Sequence, residues 1–149
     1  MIIRHLTERD VNEYIAMAGE FYRSDAVLKN MPEKNFYATV KECLSSSPYA
    51  KCFILEEDGK IMGYGLILLS FSQEAGGTQV WFDELYIKKE YRGKGFGRQF
   101  FNFVFNDFPA ARYRLEVEKS NSRAVKLYET LGFEFLEYDQ MILDNNQSD

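Results

Sequence analysis

Residues 90–98 read Glu-Tyr-Arg-Gly-Lys-Gly-Phe-Gly-Arg, and the rest of the chain is interpreted outward from them. The apolar run at 80–87 before this stretch predicts a strand, and the phenylalanine-rich run at 99–105 after it predicts a helix. Alternate glycines allow a tight turn and leave the backbone N–H groups uncovered by side chains. Because the turn opens into a helix, the positive end of the helix dipole adds to those groups. The stretch is therefore predicted to bind a phosphate group.

The local charge supports this prediction. The whole protein has a formal net charge of −5, yet residues 88–98 contain five basic side chains and one acid. The glycine spacing does not fit a Walker loop, which has four residues between its glycines and then Lys-Ser or Lys-Thr. Nor does it fit the dinucleotide fingerprint Gly-x-Gly-x-x-Gly. A flexible basic turn that binds no ligand is the structural alternative.

A third pattern does match. Arg92-x-x-Gly95-x-Gly97 resembles the Arg/Gln-x-x-Gly-x-Gly/Ala signature of the GCN5-related N-acetyltransferase (GNAT) family, which binds the pyrophosphate of acetyl-coenzyme A (acetyl-CoA). Residues 121–133, which include Asn121 and Tyr128, resemble a second conserved block of that family. The resemblance covers residues 80–135, whereas the first 75 residues fit the family only in the order of their elements.

Composition limits the other possibilities. With 149 residues, 46% of them hydrophobic, the chain is large enough for one packed domain. No apolar run approaches the roughly 20 residues that span a bilayer, and the N-terminus lacks a signal-peptide layout, so we expect a cytoplasmic protein. Cys43 and Cys52 are too few for a disulfide framework and are interpreted as small buried side chains. A single histidine, His5, disfavours a multi-histidine metal site, and we predict no metal.

The hydrophobic pattern predicts an α/β fold with a mixed sheet of about six strands and helices on both faces. Residues 1–149 are interpreted as a single acetyltransferase domain: 1–75 form an acceptor-side half, 78–143 an acetyl-CoA-binding half and 144–149 a frayed tail. The predicted strands are 2–6, 51–56, 60–71, 80–87, 112–118 and 133–143. The predicted helices begin near 11, 32, 98 and 122.

The family resemblance implies a further detail of the sheet. The strand at 80–87 and the strand at 112–118 should be parallel and splay apart, and the pantetheine arm should lie in the resulting cleft. Asn121 is expected either to contact coenzyme A or to cap a helix. Arg123 and Lys126 are expected either to contact the 3′-phosphate region of coenzyme A or to be solvated helix charges, and we favour the second alternative. The cofactor-binding residues implied are Leu85, Tyr86 and Ile87 by their backbone, then Arg92, Gly93, Lys94, Gly95, Phe96, Gly97 and Arg98, with Asn121 and Tyr128.

The implied reaction is direct transfer of an acetyl group to an amine. An amine with a lysine-like pKa near 10.4 is neutral in only about one molecule in 10³ at pH 7, so deprotonation costs about 4–5 kcal/mol. Asp83 and Glu84 can accept that proton. Adjacent strand residues point to opposite faces, so only one should reach the acceptor, and we favour Glu84 over Asp83. Tyr128 matches the family's general-acid tyrosine, although core packing is its structural alternative.

The predicted function is therefore acetyl-CoA-dependent N-acetylation of a small-molecule amine, polyamine-like or other, or of a peptide amine. The alternative is a non-catalytic module that binds or senses acyl-CoA. The acidic balance argues against nucleic acid and favours a cationic partner, no membrane partner is expected, and a homodimer is possible. The side chains considered for the wall of the acceptor pocket are Tyr22, Phe71, Trp81, Phe82 and Tyr86.

Overall fold

The computed structural model describes residues 1–25, 27 and 31–145. This part of the chain contains five strands and four α-helices. No helix in it is long and apolar enough to cross a membrane. In chain order the elements are β1 (Ile2–His5), α1 (Val11–Tyr22), α2 (Glu33–Leu44), β2 (Ala50–Glu57), β3 (Lys60–Ser72), β4 (Gly77–Ile87), α3 (Phe96–Asp107), β5 (Arg112–Leu115) and α4 (Ser122–Thr130).

The strands form one mixed sheet in the order β1-β2-β3-β4-β5. Neighbours from β1 to β4 are antiparallel, and β4 and β5 are parallel. Helices α1 and α2 cover one face, where Tyr14 and Tyr64 are buried. Helices α3 and α4 cover the other face, where Phe100 and Phe101 of α3 are buried. The predicted α/β fold with helices on both faces is confirmed.

Two local features explain how α1 and α3 are held. A capping box between Thr7 and Asp10 precedes α1, and the Asp10 carboxylate also accepts hydrogen bonds of 2.7 and 2.9 Å from Arg4 on β1. On the other face, a Cβ atom at Gly65 would lie 2.1 Å from the Phe100 ring. The glycine therefore permits α3 to pack directly on the centre of the sheet.

The predicted sixth strand is not formed. Residues 133–145 have no regular secondary structure, and Met141 and Leu143 are 97% and 88% exposed. The strand predicted at 112–118 is also shorter, because β5 ends at Leu115. A strand needs a partner to satisfy its backbone groups, and the only partner of β5 among the described residues is β4. Of the predicted tail, residues 146–149 lie outside the described residues.

Candidate active site

A β-bulge in β4 determines where the two adjacent acids lie. Leu66 of β3 pairs with Glu84 and Ile67 pairs with Phe82, so Asp83 is the extra residue of the bulge. A bulge breaks the alternation of side chains between the two faces. Glu84 contacts Tyr22 of α1, and Asp83 lines a cavity together with the same tyrosine. Both acids thus lie on the α1 side of the sheet, so the expected alternation of adjacent residues fails at this point, and which of the two acids reaches the acceptor stays a prediction.

The bulge coincides with the point where β4 and β5 separate. The parallel pairing runs from Gln79 and Arg112 to Phe82 and Leu115 and ends there. Beyond it, the edge of β4 that faces away from β3 pairs with no strand of the described chain. The predicted parallel, splayed pair is therefore confirmed, and the backbone of Leu85, Tyr86 and Ile87 borders the opening. The Ile87 carbonyl oxygen accepts a hydrogen bond of 2.8 Å from Arg92.

A cavity of about 1050 Å³ extends from Asp83 of β4 along β5 and the residues that follow it. Asp83 and Tyr22 line it from the α1 side, Glu116 lines it just after β5, and Tyr128 lines it from α4. Of the five aromatic residues considered for the acceptor wall, only Tyr22 is among the lining residues. Phe82 instead stacks on Phe101 in the other core, with a centroid separation of 4.2 Å. Because Tyr22 packs against the core under α1 and Tyr128 against the core under α3, the cavity is lined from both faces of the sheet.

The two acids have different surroundings. Glu84 is 7% exposed and accepts hydrogen bonds from the hydroxyl groups of Tyr22, at 2.6 Å, and Tyr64, at 2.7 Å. Burial raises the pKa of the Glu84 carboxyl, and the two hydrogen bonds act in the opposite direction. Asp83 is exposed to the cavity; partial desolvation by the surrounding protein, followed by the charge of Glu116, raises the pKa of its carboxyl.

The glycine-rich turn has the backbone of an anion site. Gly93 and Gly95 have φ values of 78° and 82°, in the left-handed region that favours glycine. No atom lies within 4 Å of where a Cβ of Gly95 would be, so the surface above it is open. Helix α3 starts at Phe96, and the first backbone N–H groups of a helix have no partner within it. These N–H groups and the helix dipole favour a bound anion at this position.

Basic side chains surround this turn, one of them from a distant part of the sequence. A guanidinium nitrogen of Arg123 in α4 would lie 3.1 Å from a Cβ of Gly93, so this side chain lies at the turn. Arg98 donates a hydrogen bond of 2.7 Å to Thr130, also in α4. Lys94 lies over the Tyr91 ring, 5.5 Å from its centroid. The sequence interpretation favoured a solvated charge over a phosphate contact for Arg123, because sequence spacing alone does not reveal that α4 packs beside the turn.

The second block places Asn121 and Tyr128 on α4. The Asn121 side chain accepts a hydrogen bond of 3.3 Å from the Ala124 N–H, so it caps the helix. Tyr128 packs against Phe101, with ring centroids 5.5 Å apart, and burial raises the pKa of its hydroxyl. Within the described residues no hydrogen bond engages that hydroxyl. Tyr128 is one of the residues that line the cavity. The residues that sequence patterns did not single out for the site are Tyr64 and Glu116.

Comparison with known proteins is consistent with this geometry. A model of the Acetyltransferase (GNAT) family matches residues 13–133. The thialysine N-epsilon-acetyltransferase of Sus scrofa is 30% identical over 137 residues, which cover 88% of this chain and 74% of that protein. The spermine/spermidine N(1)-acetyltransferase of Bacillus subtilis (strain 168) is 24% identical over 110 residues, which cover 68% of this chain and 72% of that protein. A solved structure, a possible acetyltransferase from Clostridium difficile 630, shares the fold with a TM-score of 0.79 at 23% identity, covering 96% of each chain.

Proposed function

The chain belongs to the GNAT family of acetyltransferases, and on that premise we propose that it acetylates an amine of a small cationic molecule, using Asp83 and Tyr128 as its proton-transfer groups. The observation that carries the proposal is the β4 bulge, because it places two carboxylates beside the opening between β4 and β5. The names of the relatives in Sus scrofa and Bacillus subtilis describe enzymes that acetylate amines of small molecules. A peptide amine is the broader alternative.

The residues present fit acetyl-CoA, the co-substrate of the family. The open N-terminus of α3 and the side chains of Arg98 and Arg123 suit a pyrophosphate or phosphate group. The unpaired edge of β4 at residues 85–87 offers backbone groups to the amides of an extended arm, as in the addition of a strand. When bound, acetyl-CoA supplies the thioester whose acetyl group is transferred. In this proposal residues 78–143 form the cofactor half and residues 1–75 the acceptor half.

Asp83 is proposed to accept the proton of the attacking amine. Its carboxylate lines the cavity, whereas Glu84 lies behind it and is already hydrogen-bonded to two tyrosines. This placement supports Asp83 as the base, whereas the sequence interpretation favoured Glu84. A raised pKa makes the Asp83 carboxylate a better proton acceptor than an ordinary aspartate. In this proposal Glu84 contributes negative charge on the acceptor side of the cavity and, through its hydrogen bond, orients Tyr22, which lines the cavity.

Tyr128 is proposed to protonate the departing thiolate. As the amine nitrogen forms its bond to the thioester carbonyl carbon, the carbon–sulfur bond breaks and the sulfur needs a proton. Because burial raises the pKa of Tyr128, its hydroxyl retains that proton at neutral pH. Tyr128 also lines the cavity, and within the described residues no hydrogen bond engages its hydroxyl. Solvent restores the proton of Tyr128 after each turnover.

A thiol-release assay tests the proposal. The purified protein is incubated with acetyl-CoA and either 1,4-diaminobutane, thialysine or a short lysine peptide, and the free thiol is followed. Amine-dependent thiol release, lost in Asp83→Asn and Tyr128→Phe, supports the proposal. Binding of acetyl-CoA without release of thiol for any amine would instead indicate the non-catalytic binding module.

A further inference from the structure

Glu116 lies opposite Asp83 across the gap between β4 and β5. Phe82 pairs with Leu115 in the last step of the parallel ladder; Asp83 is the next residue of β4, and Glu116 is the first residue after β5. Both side chains line the same cavity. The influence of the Glu116 charge on the Asp83 carboxyl is consistent with this proximity.

The side chains before the two carboxylates show how this end of the strand pair is arranged. The Arg114 guanidinium stacks over the Trp81 ring, 4.4 Å from its centroid, so residues 81 and 114 project on one side. The side chains of Phe82 and Leu115 belong to the opposite core, beneath α3. Asp83 lies away from that core and acts electrostatically on the Tyr22 hydroxyl, whereas Glu116 directly follows the end of β5 and lines the same cavity as Asp83. Tyr22 of α1 lines this cavity as well.

The cationic side chains that line the cavity have other partners. Arg112 forms an ion pair with Glu74, with an N–O distance of 3.1 Å. Arg114 is stacked on Trp81, and Lys119 lies over the Phe135 ring, 5.9 Å from its centroid. Neither Asp83 nor Glu116 forms an ion pair within the described residues. Two like charges thus face a shared gap, and a bound cation between them would relieve their repulsion.

We infer that Glu116 binds a second ammonium group of the acceptor, so that the preferred substrate is a diamine or longer polyamine rather than a monoamine. The inference rests on the proposed function and adds to it a residue that determines specificity. Asp83 faces the reacting amine, and Glu116, one strand away, holds the other charge of the same molecule. Ammonium–carboxylate hydrogen bonds are among the stronger polar contacts, so loss of one should be measurable in the apparent affinity.

The test compares two acceptors that differ only in the second charge. Steady-state thiol release is measured with 1,4-diaminobutane and with butylamine for the wild type, Glu116→Gln, Glu116→Asp and Glu118→Gln. Glu118 lines the same cavity and its substitution removes the same charge, so it is the matched control. We expect Glu116→Gln to lower the diamine-to-monoamine ratio of kcat/KM by about tenfold, chiefly through the KM of the diamine. We expect Glu116→Asp to retain most of the ratio and Glu118→Gln to leave it unchanged.

Three results would overturn the inference. One is an equal loss for both acceptors in Glu116→Gln, which would assign Glu116 to the basicity of Asp83 or to folding. Another is a ratio of one in the wild type, and the third is an equal change of the ratio in Glu118→Gln, which would reflect the general field of the cavity. These results differ from failure of the proposed function, in which the wild-type protein releases no thiol with either amine.

Discussion

The substitution Asp83→Asn tests the chemistry most sharply when it is compared with Glu84→Gln. Both changes keep the size of the side chain and remove one negative charge. Loss of a general base typically lowers the rate by about 10²- to 10⁴-fold. At pH 7, deprotonation of an amine with a pKa near 10.4 costs about 4–5 kcal/mol, and the base contributes to meeting that cost. We therefore expect kcat of Asp83→Asn to fall by at least about 100-fold, equivalent to about 2.7 kcal/mol.

For stability the order of the two variants should be reversed: Glu84→Gln should lower the free energy of unfolding more than Asp83→Asn. No hydrogen bond of Asp83 contributes to the described fold, so Asp83→Asn should change the free energy of unfolding by less than about 0.5 kcal/mol. Glu84 is buried and accepts hydrogen bonds from Tyr22 and Tyr64. An amide offers one acceptor oxygen instead of two, so Glu84→Gln should cost about 1–3 kcal/mol of stability. Its loss of rate should be the smaller one.

The pH dependence identifies the reason for a loss of rate. The groups facing Asp83 are Glu84 on β4, Tyr22 on α1 and Glu116 after β5. The raised pKa of Asp83 predicts an acid limb of kcat/KM above the usual range of an aspartate, because the protonated carboxyl cannot accept a proton. In Asp83→Asn the loss should shrink as the pH approaches the pKa of the amine. A wild-type pH–rate profile in Asp83→Asn, measured by thiol release, would refute the assignment.

Three further predictions concern the glycine-rich turn, the leaving thiolate and the N-terminus of α1. Gly95→Val should weaken coenzyme A binding by well over tenfold in calorimetry, because a branched side chain would cover the open N–H groups. The control is Gly59→Val, at a hairpin glycine with a similar φ of 73° and equally open space; it should leave binding unchanged. Tyr128→Phe should lower kcat by about 10²-fold with little change in cofactor affinity, and unchanged turnover would assign Tyr128 to packing alone. Asp10→Asn should cost about 2 kcal/mol in urea unfolding, since Arg4 holds the pKa of the Asp10 carboxyl at about 2 instead of 3.8. This contribution is present above about pH 4 and disappears as the pH falls towards 2, so an equal stability difference between wild type and variant at pH 2 and pH 7 would contradict it.

The sequence predicted the features that depend on neighbouring residues. Glycines at 93 and 95 require a backbone that other residues adopt poorly, and the turn is where the spacing placed it. Helical periodicity located α1 to α4, and the strands predicted at 51–56 and 60–71 correspond to the paired strands β2 and β3. The parallel pair followed from the resemblance and is confirmed.

The remaining features depend on pairing between distant residues. The bulge at Asp83 exists only relative to β3, so no pattern within β4 reveals it. The position of Glu116 opposite Asp83 depends on the register of β4 with β5, which are separated by α3. Arg123 reaches Gly93 because α4 packs beside the turn. A last strand was predicted at 133–143, but β5 ends at Leu115 and offers little length for it to pair with.

The central claim is that this protein transfers an acetyl group to a small amine. The most direct measurement incubates the purified protein with acetyl-CoA and 1,4-diaminobutane, follows free thiol, and identifies the amine product by mass spectrometry. We predict stoichiometric formation of thiol and the monoacetylated diamine, both abolished by omission of the amine. Binding of acetyl-CoA by calorimetry with neither thiol nor acetylated amine, across diamines, thialysine and lysine peptides, would contradict the account.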